Sequence, residues 1–198
     1  MGRSDEELIE ACLAGESCAF DVLVARWEDK IRGACWRVLG SEDEAGDVAQ
    51  EAFLKAYRGL AGFKREARFS SWLYQIAINL CRDRLRRRRT RATVSLDELE
   101  ASGPVLVEPR PGAHEVLVRE DLAAAVRRAI EALPAEQREA VILKEYQGLT
   151  FLEISQALDV PVSTVKTRLY RGLGQLRLRL ERQKLGSAAP VAVPASGS

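Results

Sequence analysis

The chain has 198 residues, a mass of 21.9 kDa and 46% hydrophobic residues, enough for one or two small cores and too many for a disordered chain. No apolar run reaches the roughly 18 to 20 residues of a membrane helix, and Met1 to Glu10 lacks the apolar stretch of a signal peptide. Cys12, Cys18, Cys35 and Cys81 stand apart with no CxxC pair, which argues against a disulfide framework or a zinc ribbon and leads us to expect a cytoplasmic protein without membrane insertion of its own.

The net charge of +1 conceals segregation. From Ser41 to Tyr57 five acids face Lys55 alone. From Lys64 to Arg91 ten basic residues, including the run Arg86 to Arg89, face only Glu66 and Asp83. Between Ser95 and Asp121 seven acids face two arginines, and from Val162 to Lys184 seven bases face Glu181. Two basic segments separated by an acidic one suggest two nucleic-acid contacts. Solvated helix faces account for ordinary charge runs, but four adjacent arginines repel one another without a polyanion.

In chain order, Leu8, Ile9, Cys12 and Leu13 form a short apolar stripe. Phe20, Leu23, Val24, Trp27, Ile31, Ala34, Cys35 and Val38 recur at three- and four-residue steps, a helix of about five turns. Gly40 ends it and Ser41 caps the next helix. That acidic helix, 41–60, places Ala49, Ala52, Phe53, Ala56, Tyr57 and Leu60 inward. Asp47, Gln50, Glu51, Leu54 and Arg58 share the outer face, where an exposed leucine fits a protein partner as well as it fits a solvated surface. In the following helix Trp72, Leu73, Ile76, Ala77 and Leu80 form the buried side, while Gln75, Asn79, Arg82 and Arg86 place an amide within a basic face. Such a face can stack and hydrogen-bond unpaired bases. Trp72 taken alone reads more simply as a core anchor.

From Arg91 to about Arg119 periodicity gives way to an acidic stretch punctuated by Gly103-Pro104, Pro109, Pro111 and Gly112, a linker pattern. It returns with Leu122, Val126, Ala129, Ile130 and Leu133. Thr150 followed by Glu153 is a capping box opening a helix with Phe151, Ile154, Ala157 and Leu158 inside. Asp159-Val160-Pro161 breaks it, and Ser163 is placed to cap the next. That last helix carries an apolar stripe of Val165, Leu169, Leu173, Leu176 and Leu180 opposite Thr164, Thr167, Arg168, Arg171 and Gln175. Two helices joined by a tight turn, the second presenting hydroxyls and arginines near its N-terminus, form a helix-turn-helix. An αα-hairpin with a charged surface is the plainer alternative. The reading is therefore all-α: two small helical domains joined by a flexible linker, the C-terminal one a helix-turn-helix domain. The expected spans are 1–91, a linker at 92–119, 120–184 and a disordered tail at 185–198. The single histidine, His114, has no acid–base partner nearby, and neither a P-loop nor GxGxxG occurs, so no enzymatic activity, metal or cofactor is expected.

The order Asp47-Val-Ala-Gln50-Glu51-Ala-Phe53, then Phe69-Ser-Ser71-Trp72-Leu73-Tyr74 through Asn79, then Leu133-Pro134, Gly148-Leu149-Thr150 and Ser163-Thr164-Val165-Lys166-Thr167-Arg168-Leu169 resembles the extracytoplasmic-function (group 4) sigma factors of the sigma-70 family. The resemblance spans about residues 5–180. It implies a specificity subunit of bacterial RNA polymerase that directs promoter recognition, opening and initiation, under the control of a stress signal and an anti-sigma factor. Asp47, Gln50, Glu51 and Leu54 would bind the polymerase β′ clamp. Lys64, Arg65, Arg68, Phe69, Ser71, Trp72, Asn79, Arg82 and Arg86 would contact the minus-ten element, with a captured base between the loop before Trp72 and Asn79. Ser163, Thr164, Lys166, Thr167, Arg168 and Arg171 would read the minus-thirty-five element, on a domain seated at the β flap. Three positions depart from the pattern: Asp159 replaces a common glycine, and Gly172 and Gly174 interrupt the recognition helix, at about 1 kcal/mol each relative to alanine. The competing class is a free-standing helix-turn-helix regulator, which leaves the blocks around Asp47 and Trp72 without a role.

Overall fold

The computed structural model describes residues 2–16, 18–63, 67–94 and 114–187, and among these there is no strand. The middle of the expected linker and most of the tail, 95–113 and 188–198, lie outside the described residues, as do Lys64 and Arg65.

The N-terminal unit comprises α1 (Asp5–Leu13), α2 (Cys18–Leu39), α3 (Glu42–Gly59) and α4 (Phe69–Val94). A capping box starts α1: the Ser4 hydroxyl accepts from the Glu7 amide, and the Glu7 carboxylate accepts from the Ser4 amide at 2.6 Å. Asp5 then ties α1 to α2, accepting from Trp27 Nε1 at 3.0 Å and from Arg26. Leu8 and Ile9 are buried as their stripe requires, whereas Leu13, at the helix end, is half exposed. Gly40 ends α2 with φ +73°, a left-handed conformation that suits a residue without Cβ, and Ser41 caps α3 by accepting from Glu44 N. On α3, Ala49, Ala52, Phe53 and Ala56 are buried. Tyr57 is not: it lies 51% exposed on the rim of a groove between α2 and α3, its ring edge-on to Phe20 at 5.0 Å.

The C-terminal unit comprises α5 (His114–Glu131), α6 (Ala135–Val141), α7 (Phe151–Leu158) and α8 (Val162–Ser187). Helix α4 runs to Val94 and α5 starts at His114, so helix enters the expected linker from both sides. Helix α6 continues into a π-helical turn, Ile142–Tyr146, before Thr150 opens α7 with the expected capping box. Asp159 closes α7 at φ 53°, ψ 51°, a left-handed geometry that Asp tolerates better than most residues. The Val160 amide donates to Ser155 O and the Ser155 hydroxyl donates to Val160 O at 2.6 Å, completing the turn. Ser163 is not the cap of α8; the helix begins one residue earlier because Pro161 is already fixed near helical φ and its carbonyl accepts from Thr164 and Val165. Gly172 is buried where α8 crosses α6: a Cβ there would lie 2.9 Å from Val141 Cγ2.

Cys35 and Cys81 are fully buried and hydrogen-bonded to each other between α2 and α4; that bond, then burial, pushes the Cys81 thiol far up. Cys12 is half-buried, with its thiol raised chiefly by burial, and Cys18 is exposed. All four are free thiols. No cluster of three or more potential metal ligands occurs among the described residues.

Candidate polymerase and nucleic-acid interfaces

Three surfaces collect the residues singled out in the sequence. The first is the outer face of α3. Asp47, Gln50, Glu51 and Leu54 are all exposed there, and Gln50 and Leu54 line a groove of about 720 Å³ between α2 and α3 together with Phe20, Val24 and Phe53. Glu51 pairs with Lys55 at 3.3 Å, an i, i+4 contact, and Asp47 lies 4.0 Å from Arg84. Leu54, half exposed beside these acids, gives the surface the mixed character of a protein-binding face.

The second surface is α4 and the turn before it. Phe63, Phe69 and Trp72 form an aromatic cluster, with ring centroids 4.9 Å apart for Phe63–Trp72 and 6.1 Å for Phe69–Trp72. Gly59 admits the Trp72 indole, since a Cβ there would lie 3.3 Å from it. The expected open basic face is not what the structure presents. Phe69 and Ser71 are buried, and the Ser71 hydroxyl has no hydrogen-bond partner among the described residues. Helix α4 packs against α2, α3 and α7 at once, so its buried positions (Leu73, Tyr74, Ala77, Ile78, Leu80 and Cys81 among them) encircle it. Arg68, Ser71, Gln75, Ile78 and Arg82, spaced three and four apart, make one stripe. Both ends of that stripe are tied to the C-terminal unit. Arg68 donates to Glu153 of α7 at 2.8 Å, and Arg82 donates through Nε and Nη2 to the two carboxylate oxygens of Glu139 on α6, at 2.9 and 2.6 Å. Arg82 Nη1 turns back to Asn79 Oδ1 at 3.1 Å. Glu139 is 1% exposed, and its hydrogen bond holds the Arg82 guanidinium protonated more strongly than usual. Among the described residues expected at the minus-ten strand, Arg68, Asn79 and Arg86 are exposed, Arg86 paired with Asp83 at 2.9 Å.

Further ties join the units. The Tyr74 hydroxyl donates to Gln147 at 2.8 Å. Arg138, its guanidinium made less basic by burial, donates to Val38 O at the end of α2 and to the Leu133 and Glu131 carbonyls. Arg37 stacks over Tyr146 at 4.4 Å and Arg127 over Trp36 at 5.8 Å. None of Glu139, Arg138, Tyr74 or Gln147 was singled out from the sequence. Glu139 sits in Ala-Glu-Gln-Arg-Glu-Ala, the pattern of a solvated helix, yet it is buried and paired with Arg82 of the other unit.

The third surface is the N-terminal half of α8. Ser163, Lys166, Thr167 and Arg171 are exposed and Thr164 and Arg168 are half-buried. The Thr167 hydroxyl donates to Ser163 O at 3.0 Å, and Lys166 Nζ lies over the Phe151 ring at 5.5 Å. Val165 and Leu169 are buried behind them against the rest of the unit. The helix-turn-helix thus presents its polar face outward with its apolar stripe anchored.

Sequence models of two successive parts of one family match the chain in the order of these units: sigma-70 region 2 over residues 23–91 and sigma-70 region 4 over residues 123–176. The RNA polymerase sigma-H factor of Pseudomonas aeruginosa is 36% identical over 173 residues, covering 85% of this chain and 90% of that protein. The extracytoplasmic-function sigma-E factor of Escherichia coli K12 is 38% identical over 85% of this chain and 90% of its own length. The factor SigW of Bacillus subtilis is 36% identical over 84% and 91%. The chain is an extracytoplasmic-function sigma factor of the sigma-70 family. The fold of this sigma factor is shared by CnrH, solved in complex with the cytosolic domain of CnrY (TM-score 0.65, 24% identity, 88% of this chain and 96% of that one). It is shared also by RpoE of Bartonella quintana, solved with the anti-sigma factor NepR (TM-score 0.64, 21% identity, 82% and 96%). In the sigma factor, region 2 runs from within α2 to the basic end of α4, and region 4 runs from α5 into α8. No helix among the described residues is long and apolar enough to cross a membrane.

Proposed function

We propose that this sigma factor joins core RNA polymerase through the α3 face, holds the opened minus-ten strand on α4 and its preceding turn, and reads the minus-thirty-five duplex with α8, under the control of an anti-sigma factor. The observation that carries this division is the coexistence of two outward faces of opposite chemistry. Asp47, Gln50, Glu51 and Leu54 stand exposed on α3 with no deep core role, which suits a protein partner. Thr167, Arg168 and Arg171 stand on α8 where a helix-turn-helix meets a major groove, and arginine there can bond bidentately to guanine. We take the units as 1–91 and 120–184, joined by a linker at 92–119, and assign no catalytic role to either.

The test is run-off transcription with purified core polymerase. The double variant Asp47→Ala, Gln50→Ala should bind core at least tenfold more weakly while keeping the wild-type melting curve, since both side chains point to solvent. Wild-type core affinity in that variant would remove the clamp assignment. Arg168→Ala and Arg171→Ala should each lose about 1–3 kcal/mol against the preferred upstream sequence. A loss uniform over all sequences, with a shallower salt dependence, would reassign them to phosphate contacts. Tight binding to a duplex operator with no affinity for polymerase would favour a free-standing regulator instead.

A further inference from the structure

We propose that a slot of about 370 Å³, bounded by α2, α5 and the π-helical turn, binds a small aromatic carboxylate. The slot shares no residue with the faces assigned above to polymerase or to DNA.

Its walls are aromatic and cationic at once. Trp36 of α2 and Tyr146 of the π-helical turn line it, and the Arg37 guanidinium lies over both rings, 5.6 Å from the indole and 4.4 Å from the phenol. Arg127 of α5 approaches the same indole at 5.8 Å. Two guanidiniums held on one indole repel each other unless an anion lies near both. The chain supplies little to relieve this. Arg37 donates Nη1 to the Gly33 carbonyl at 2.8 Å, and neither arginine has an ion pair among the described residues. The one acid at the slot, Glu131, sets its carboxylate against Gly40, 3.5 Å from where a Cβ would stand. Two cations against one acid leave a single positive charge in excess.

The floor is apolar. Ala123, Val126 and Ile130, three and four residues apart, share one face of α5 and turn it to the slot. Tyr146 arrives from an unusual backbone. The Gln147 amide donates to the Ile142 carbonyl, five residues back, at 3.2 Å, and Tyr146 closes that turn 42% exposed. Turns of this kind are rare and recur at functional sites.

Together these features narrow the ligand. Aromatic walls and an apolar floor take a flat hydrocarbon body. Guanidiniums take a carboxylate, whose two oxygens match their paired N–H groups. A single excess charge suits a monoanion and leaves a polyphosphate uncompensated. The volume lies at the small end of the roughly 300–1,000 Å³ of ligand pockets, room for one or two fused rings. Trp36 and Arg37 belong to one unit and the other lining residues to its neighbour, so an occupant needs the units together. Binding and docking therefore favour each other by the same factor.

The experiment titrates the full-length chain, labelled with nitrogen-15 in its tryptophan side chains, with 2-naphthoate and in parallel with 2-naphthamide, its uncharged counterpart. The three tryptophans, Trp27, Trp36 and Trp72, give three indole N–H signals, and Trp36→Phe assigns the relevant one. Naphthoate should shift the Trp36 signal, leave the other two in place and bind about tenfold or more tightly than naphthamide. Arg127→Gln, at an exposed position, should weaken naphthoate about tenfold and leave naphthamide unchanged. Tyr146→Leu should weaken both ligands, since it removes a wall. Should Arg127→Gln fold poorly, Arg37→Gln reads the same loss of charge at the same signal. A Trp36 signal that stays in place at millimolar naphthoate overturns the proposal, as does a shift confined to Trp27 or Trp72. Equal affinity for acid and amide overturns it too, and would make the slot an apolar seat for a polypeptide side chain. So does a naphthoate affinity that neither arginine substitution changes.

Discussion

Gly172 and Gly174 lie two residues apart on α8 and look alike in the sequence, as two interruptions of a recognition helix. Their surroundings separate them. A methyl group on Gly172 would meet Val141 Cγ2 at 2.9 Å, whereas nothing lies within 4 Å of a Cβ on Gly174. Gly172→Ala should therefore destabilise by about 1–3 kcal/mol through overpacking against α6. Gly174→Ala should stabilise by up to about 1 kcal/mol, the ordinary helix preference of alanine. Urea midpoints of the two variants check this, and a gain at both would mean that α8 can lift from α6 at no cost. Asp159 was legible because its type is compatible with left-handed backbone and its position follows a helix. Gly172 was not, since close approach of a second helix leaves no mark on the local pattern.

At the scale of elements, α7 is held at its start by a group that titrates. Glu153 accepts from the Thr150 amide and hydroxyl, and these bonds, the backbone one foremost, lower its carboxyl below the usual value, with Arg68 adding to the effect. A folded value lower than the unfolded one means that the ionised carboxylate stabilises the fold above the unfolded value of 4.5, and that this contribution is lost as pH falls below 4.5 through the folded value. Glu153→Gln keeps a capping side chain but cannot titrate, so the difference in unfolding free energy between wild type and variant should shrink from pH 6 to pH 3.5. A constant difference would show that the carboxylate charge contributes nothing there. The box itself was readable from Thr150 and Glu153 alone, because capping is local. Helix α4 was read only halfway: the inner stripe of Leu73, Ala77 and Leu80 is visible by period, but Phe69, Tyr74 and Ile78 are buried too. A helix covered on several sides loses the contrast between faces on which that reading depends.

For the whole molecule, the two helical units and their order were legible, since each has its own apolar periodicity. Their docking was not. Arg82–Glu139, Tyr74–Gln147 and Arg68–Glu153 join residues 57, 73 and 85 positions apart, and nothing in either partner's neighbourhood names the other. These ties, with Arg138 on the α2 carbonyl, should couple the units in unfolding. Calorimetry of the full chain should show one transition for the wild type. Glu139→Lys, which sets two cations against each other at the former tie, should resolve it into two. Two transitions in the wild type would mean that the units melt independently.

The placement of the thiols gives this protein a built-in stopwatch. Cys18 is exposed and open to a maleimide at once, while burial slows Cys12, and the free thiols of Cys35 and Cys81 are fully buried between α2 and α4. Glu139 of the C-terminal unit also lies near the Cys81 thiol. Alkylation followed by mass spectrometry should therefore read Cys35 as the clock for the N-terminal helices coming apart, and Cys81 as one that detachment of the C-terminal helices can also start.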